Sequence, residues 1–214
     1  LISASAFKKT PIHESPLDFP NVRNSPVFIS EIKTTYPASR DLCTIGGMVA
    51  NNAGSEKSLQ FSKTEKFIDN IKVEFGDGNE YLVKALNKKE LDKKIAQKDY
   101  EGEIYRKIFE LVNKNYDEIK AAKPHISKDS TGYHLWDVWD KETGIFDLTQ
   151  IIVGSQGTLG IVTDVTFKLV PAPKHSGTLV VFLRKTDDLG DLINKVLENN
   201  PATFEGFDNY TLMI

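Results

Sequence analysis

A single cysteine in 214 residues leaves the chain no means of closing an internal disulfide, so its stability has to come from a packed core, as is usual in a reducing compartment. The sequence also lacks an excess of either charge. Its 27 Lys and Arg against 30 Asp and Glu leave a formal charge of −3, which removes the electrostatic case for nucleic acid or an anionic membrane surface as partner. No apolar run approaches the roughly 20 residues that a membrane-spanning helix requires, and no secretory signal pattern opens the chain. The expected location is cytoplasmic, with attachment to a membrane surface left open. A starting Met is missing and the chain stops inside an apolar run, TLMI, so the expectation is an excerpt of a longer polypeptide.

Histidine is scarce as well. His13, His125, His134 and His175 show no i, i+3 or i+4 pairing with another ligand on a predicted helix, so no metal site is expected and solvated or capping roles are. Cys43 reads as a small buried thiol. Tyr133, Trp136 and Trp139 lack the regularly interleaved basic residues of a stacking platform and read as the packing of a loop. The lysines of 84–98 and 114–123 alternate with acids and read as solvated helix faces.

What is present is an ordinary globular composition, 40% hydrophobic, which is enough for a real core. Residues 1–35 read as a proline-rich, loop-rich lead-in with at most a short strand expected at 27–29. Ile71, Val73 and Phe75 alternate with polar residues, GDGN follows at 76–79, and Tyr81-Leu82-Val83 resumes an apolar run, which predicts a β-hairpin. Asn87 with Glu90 three residues later predicts a capped helix over NKKELDKKIAQ. Ile104, Ile108, Leu111, Val112, Tyr116 and Ile119 predict one longer amphipathic helix ended by Pro124. A polar loop then precedes a predicted strand at 151–153, a glycine turn and an alternating strand over 161–170. Past the prolines at 171–173, a strand at 178–183 and a helix over 187–200 predict the start of a second layer, with a domain boundary near 171–176.

Two glycine motifs carry the chemistry. TIGGMVANNAGS (44–55) has a backbone bare enough for close approach, amide N–H groups suited to phosphate oxygens, and in Asn51 and Asn52 uncharged amides suited to a polar heterocycle. A turn running into a buried, asparagine-capped helical turn accounts for the same residues. VGSQGTLGIVTDVTFKL (153–169) places glycines at 154, 157 and 160, where the backbone approaches something or turns a hairpin corner.

PASRDLCTIGGMVANNAGS followed by SQGTLGIVT resembles the FAD-linked oxidases, flavoproteins with a PCMH-type FAD-binding domain that include D-lactate dehydrogenases and the D subunit of glycolate oxidase. The resemblance implies an α+β fold: the second part only of the FAD-binding domain over 36–173, a mixed or antiparallel sheet with flanking helices. The incomplete start of a ferredoxin-like cap would follow over 174–214. It implies FAD as cofactor, a small 2-hydroxy acid as substrate of the intact protein, and flavin contacts from Pro37, Ala38, Ser39, Thr44, Ile45, Gly46, Gly47, Ala50 and Asn51. The adenosine side would be closed by Ser155, Gly157, Gly160, Ile161 and Val162. KDSTGYHL (128–135) resembles the family's Gly-Tyr element and would bring Tyr133 near the cofactor. A surface tyrosine is the other reading. Gln156 stands where the family commonly has Glu, and Phe61-Ser62 where it has a Tyr-Gly pair. The family's upstream pyrophosphate loop and its downstream cap histidines have no counterpart here, so no catalytic acid or base is assigned. The alternative expectation is a non-catalytic remnant, or a subunit completed by a missing subdomain or a partner chain.

Overall fold

The computed structural model describes residues 37, 39, 42–54, 58–126, 129–168, 170, 175–208, 210 and 211. The lead-in, the expected strand at 27–29, Ala38 and residues 171–174 of the expected domain boundary lie outside them. The observed class is α+β, with a small antiparallel sheet covered on one face by helices.

The sheet has three strands in the order β2-β1-β5, where β1 is Ile68–Glu74, β2 is Glu80–Lys84 and β5 is Ile161–Phe167. The predicted hairpin forms β1 and β2, pairing Ile71 with Val83 and Val73 with Tyr81. Its turn uses Gly78 at φ +76°, with Gly78 N–H donating to the Phe75 carbonyl at 3.0 Å. Period-two alternation sends Ile71, Val73 and Val83 to one face, where none of them retains any exposure. Withdrawing each from water contributes about 1.5–3 kcal/mol. The other face is solvated: Lys72 lies 3.4 Å from Glu80, whose carboxylate also accepts from Thr163 at 2.7 Å.

After the short helix α2 (Ser58–Phe61), helix α3 (Lys88–Ala96) starts as the sequence predicts, at a reciprocal cap in which Asn87 accepts from Glu90 N–H (3.1 Å) and Glu90 accepts from Asn87 N–H (3.0 Å). The single longer helix is two helices, α4 (Tyr100–Lys114) and α5 (Tyr116–Ala121). Asn115 makes the break, because its side-chain amide and its own N–H both donate back to the Leu111 carbonyl and close the first helix. Tyr105 and Val112 of α4 enter the core, whereas Leu111, expected on the apolar face, is 45% exposed.

The polar loop after α5 is partly ordered into a short hairpin, β3 (Trp139–Asp140) with β4 (Ile145–Phe146), which sends Phe146 into the core against Tyr105 and Phe109. The strand expected at 151–153 is instead a helical turn, Thr149–Ile152. Asp147 decides this: one of its oxygens accepts from both the Thr149 amide (3.0 Å) and the Thr149 hydroxyl (2.7 Å), which winds the chain before the apolar residues arrive. A short apolar run cannot by itself distinguish the two states. In the C-terminal segment the predicted helix forms over Leu189–Leu197, but 178–183 shows only an isolated bridge at Val181 in place of the expected strand. β-propensity without a paired backbone neighbour does not make a strand.

Candidate functional site

The two glycine motifs, separated by about a hundred residues of chain, meet. TIGGMVA forms a short helix, α1 (Ile45–Ala50), started by Thr44, whose hydroxyl accepts from Gly47 N–H at 3.0 Å. The loop 153–160 then closes on the end of α1: Gly154 N–H donates to the Val49 carbonyl and Gln156 N–H to the Ala50 carbonyl, both at 2.9 Å. These bonds satisfy carbonyls that a helix end leaves without intrahelical partners. The loop reaches them through left-handed residues, Gly154 at φ +87°, Gln156 at +54° and Gly157 at +76°. Tyr133 joins from a third segment, its hydroxyl 2.7 Å from that of Thr158.

The expected contact residues separate into those turned outward and those turned inward. Thr44, Ile45, Gly46, Asn51, Gly157 and Ile161 are exposed, Pro37, Gly47, Ala50 and Val162 are half-buried, and Ser39 is exposed with its carbonyl accepting from Leu42 and Cys43 N–H. Ser155 is buried. The close approach expected at Gly154 and Gly160 is to the protein itself. A Cβ on Gly154 would lie 3.2 Å from Asn52 Cβ, and one on Gly160 would lie 2.6 Å from Val73 Cγ1 and 2.9 Å from the Glu74 carbonyl oxygen. Asn52 does not offer its amide outward as expected. It is buried, donating to the Glu65 carboxylate and accepting from Glu65 N–H at 3.1 Å.

His134, expected as a solvated or capping residue, is only 4% exposed. Its Nδ1 lies 3.2 Å from Glu65 and its Nε2 3.6 Å from Asp129, and its ring stacks on Trp136. The Asp129 carboxyl is held below its ordinary range chiefly by the Thr131 backbone N–H and then the Thr131 hydroxyl, which both donate to one of its oxygens. Lys63, 3.5 Å from Glu65, completes a buried polar cluster that sequence reading missed. Asn52, Lys63 and Glu65 come from neighbouring stretches of the chain, but Asp129 and His134 come from a segment more than sixty residues further on, and no local spacing marks them. Among the described residues no group of three or more His, Cys, Asp or Glu side chains is arranged to hold a metal ion. Trp139 packs with Phe109 and Tyr116, in keeping with a loop-packing role.

No protein-family model matches the chain. It is 26% identical over 189 residues to a D-2-hydroxyglutarate dehydrogenase of Pseudomonas putida, covering 87% of this chain and 18% of the relative. It is 25% identical over 180 residues to glycolate oxidase subunit GlcD of Bacillus subtilis, covering 83% and 27%. With a D-lactate dehydrogenase of Anaerostipes hadrus it shares 24% over 145 residues, covering 68% and 20%. The chain is a homologue of the FAD-linked oxidases. It spans less than a third of the length of each of these relatives.

Gly46 tests whether the residues of this FAD-linked oxidase homologue fit a flavin dinucleotide. A Cβ placed there meets nothing within 4 Å, and its φ is not in the left-handed region, so neither packing nor backbone geometry requires glycine. A glycine inside a helix costs about 1 kcal/mol relative to alanine. Here that cost leaves open the exposed first turn of α1, where N–H groups lack intrahelical acceptors. The donor set fits a cofactor that is held through main-chain amides.

Proposed function

We propose that this chain supplies one wall of the FAD site of a flavin-dependent oxidoreductase that oxidises a small 2-hydroxy acid of the D-lactate, glycolate or D-2-hydroxyglutarate kind. The observation that carries the reading is the unexplained bareness of Gly46, held beside the loop 154–160 by the hydrogen bonds to Val49 and Ala50. The substrate class comes from the activities for which the relatives are named. When bound, the flavin supplies the electron sink for hydride removal from the hydroxyl-bearing carbon.

The residues present would bind and orient. The first turn of α1 offers N–H groups to the cofactor, Ile45 and Ile161 offer apolar surface, and Tyr133 fixes the loop through Thr158. None of the described acids, bases or histidines is assigned to the chemical step. The test is a fluorescence and absorbance titration of the purified chain with FAD. Saturable uptake with a red shift or quenching of the flavin bands, weakened by Gly46→Val, is the expected result. An absence of uptake at high micromolar FAD would overturn the claim for this chain.

A further inference from the structure

Among the described residues, one cluster of buried charges lies just behind the proposed flavin wall, apart from Glu101, which is buried on α4 beside Lys94. Lys63, Glu65, Asp129 and His134 are each at most 8% exposed, and Asn52 is 1% exposed. Charged groups this dry are costly unless paired, and deleting one member leaves its partner unsatisfied. Glu65 is the hub. Its Oε2 accepts from the Asn52 side-chain amide, with His134 Nδ1 at 3.2 Å and Lys63 Nζ at 3.5 Å, while its own N–H donates to Asn52 Oδ1. Beyond it, His134 Nε2 faces Asp129.

Both ends of this relay lead to the loop 154–160. Asn52 takes the left-handed turn at φ +46° directly after α1, and the Gly154 backbone packs against its Cβ. Gly154 and Gln156 hang on the last carbonyls of α1. At the other end, His134 is the chain neighbour of Tyr133, whose hydroxyl meets Thr158 within the same loop. We infer that Asn52, Glu65 and His134 are positioning residues: a buried polar relay that locks the end of α1 and the Tyr133 segment together, so that the two glycine motifs keep one relative placement. The functional weight of this inference rests on the flavin reading; its mechanical content does not.

A reciprocal swap separates the relay from simple packing. Asn52→Asp alone sets two carboxylates against each other. Combined with Glu65→Gln it restores an amide donor facing a carboxylate, keeps an acceptor for the residue 65 N–H and keeps the formal charge of the cluster, while the negative charge moves from position 65, beside Lys63 and His134, to position 52. Asn52→Gly keeps the left-handed turn and removes only the side chain.

The measurement is amide hydrogen exchange of the chain without flavin. In Asn52→Asp and Asn52→Gly, exchange at Gly154 and Gln156 should accelerate about tenfold relative to the β1 amides, the loss expected for a hydrogen bond to a charged group. The double variant should recover part of the lost protection, since the contact between residues 52 and 65 is restored while the carboxylate beside Lys63 and His134 is not. FAD affinity, titrated in parallel, should fall and recover in the same order. If Asn52→Asp does not fold, Asn52→Gly and the double variant still decide. Unchanged exchange in Asn52→Gly, or exchange in the double variant no slower than in Asn52→Asp, overturns the relay even if FAD binds. The predicted exchange pattern without FAD uptake supports the relay and removes the flavin reading.

Discussion

Replacing Gly160 with alanine should damage the fold, and replacing Gly46 with alanine should not. At Gly160 the added methyl would sit 2.6 Å from Val73 Cγ1, 2.9 Å from the Glu74 carbonyl oxygen and 3.2 Å from Phe75 Cδ1. Val73 is completely buried, and a strand carbonyl cannot rotate aside, so β5 has to move away from β1. Overpacking of a filled core typically costs about 1–3 kcal/mol, and a clash with backbone belongs at the upper end. At about 2–4 °C per kcal/mol for a chain of this size, Tm should fall by roughly 6–12 °C. At Gly46 the methyl meets open space, so helix propensity should raise stability by at most about 1 kcal/mol. Thermal melts without flavin, run beside FAD titrations, read both effects. Gly160→Ala should melt early, and Gly46→Ala should melt normally or late while binding FAD more weakly. A Gly160→Ala melt within about a degree of the original protein would refute the packing argument. Undiminished FAD binding by Gly46→Ala would remove the reason offered for its bareness.

Asn87→Ala should cost about 1 kcal/mol in urea unfolding, the usual loss for an N-cap, because the exposed α3 has a two-way cap to lose. The Tyr81 phenol, pushed up to about 12 mainly by its 2.6 Å hydrogen bond to Asp77, should appear as a late-titrating tyrosine in ultraviolet titration and move back toward 10 in Asp77→Asn. Since this folded-state value is raised, the stabilisation it reports is complete below pH 10 and is lost as pH climbs from 10 through 12. An unchanged titration in Asp77→Asn would disprove the assignment. The Tyr105 hydroxyl is fully buried and without a hydrogen-bond partner among the described residues, so Tyr105→Phe should be neutral or stabilising by about 1 kcal/mol. A clear loss of stability there would reveal a partner.

The parts of the fold that were legible were those whose cause lies within a few residues. Alternation at Ile71, Val73 and Tyr81 around GDGN produced the hairpin, and Asn87 with Glu90 produced a capped helix start, because each signal and its structural consequence share one turn of chain. Two of the misreadings share a different cause. Asp147 turned an apolar run from strand to helix through side-chain bonds to Thr149, and Asn115 cut one periodic helix into two. In both, one polar side chain competed with the backbone and outweighed the apolar pattern around it.

By itself the sequence determined the chemical character of this protein: a chain of small net charge, with no internal disulfide, an α+β pattern of elements and two bare glycine segments about a hundred residues apart. Only the tertiary structure decided what each glycine does. Gly154 and Gly160 lie against Asn52 and Val73, while Gly46 faces open space, a difference set by neighbours from distant parts of the chain. The tertiary structure also turned Asn52 from an outward amide into the partner of Glu65 and buried His134 between two carboxylates. Burial and pairing depend on which segments the fold brings together, and that information is not held in any one of them.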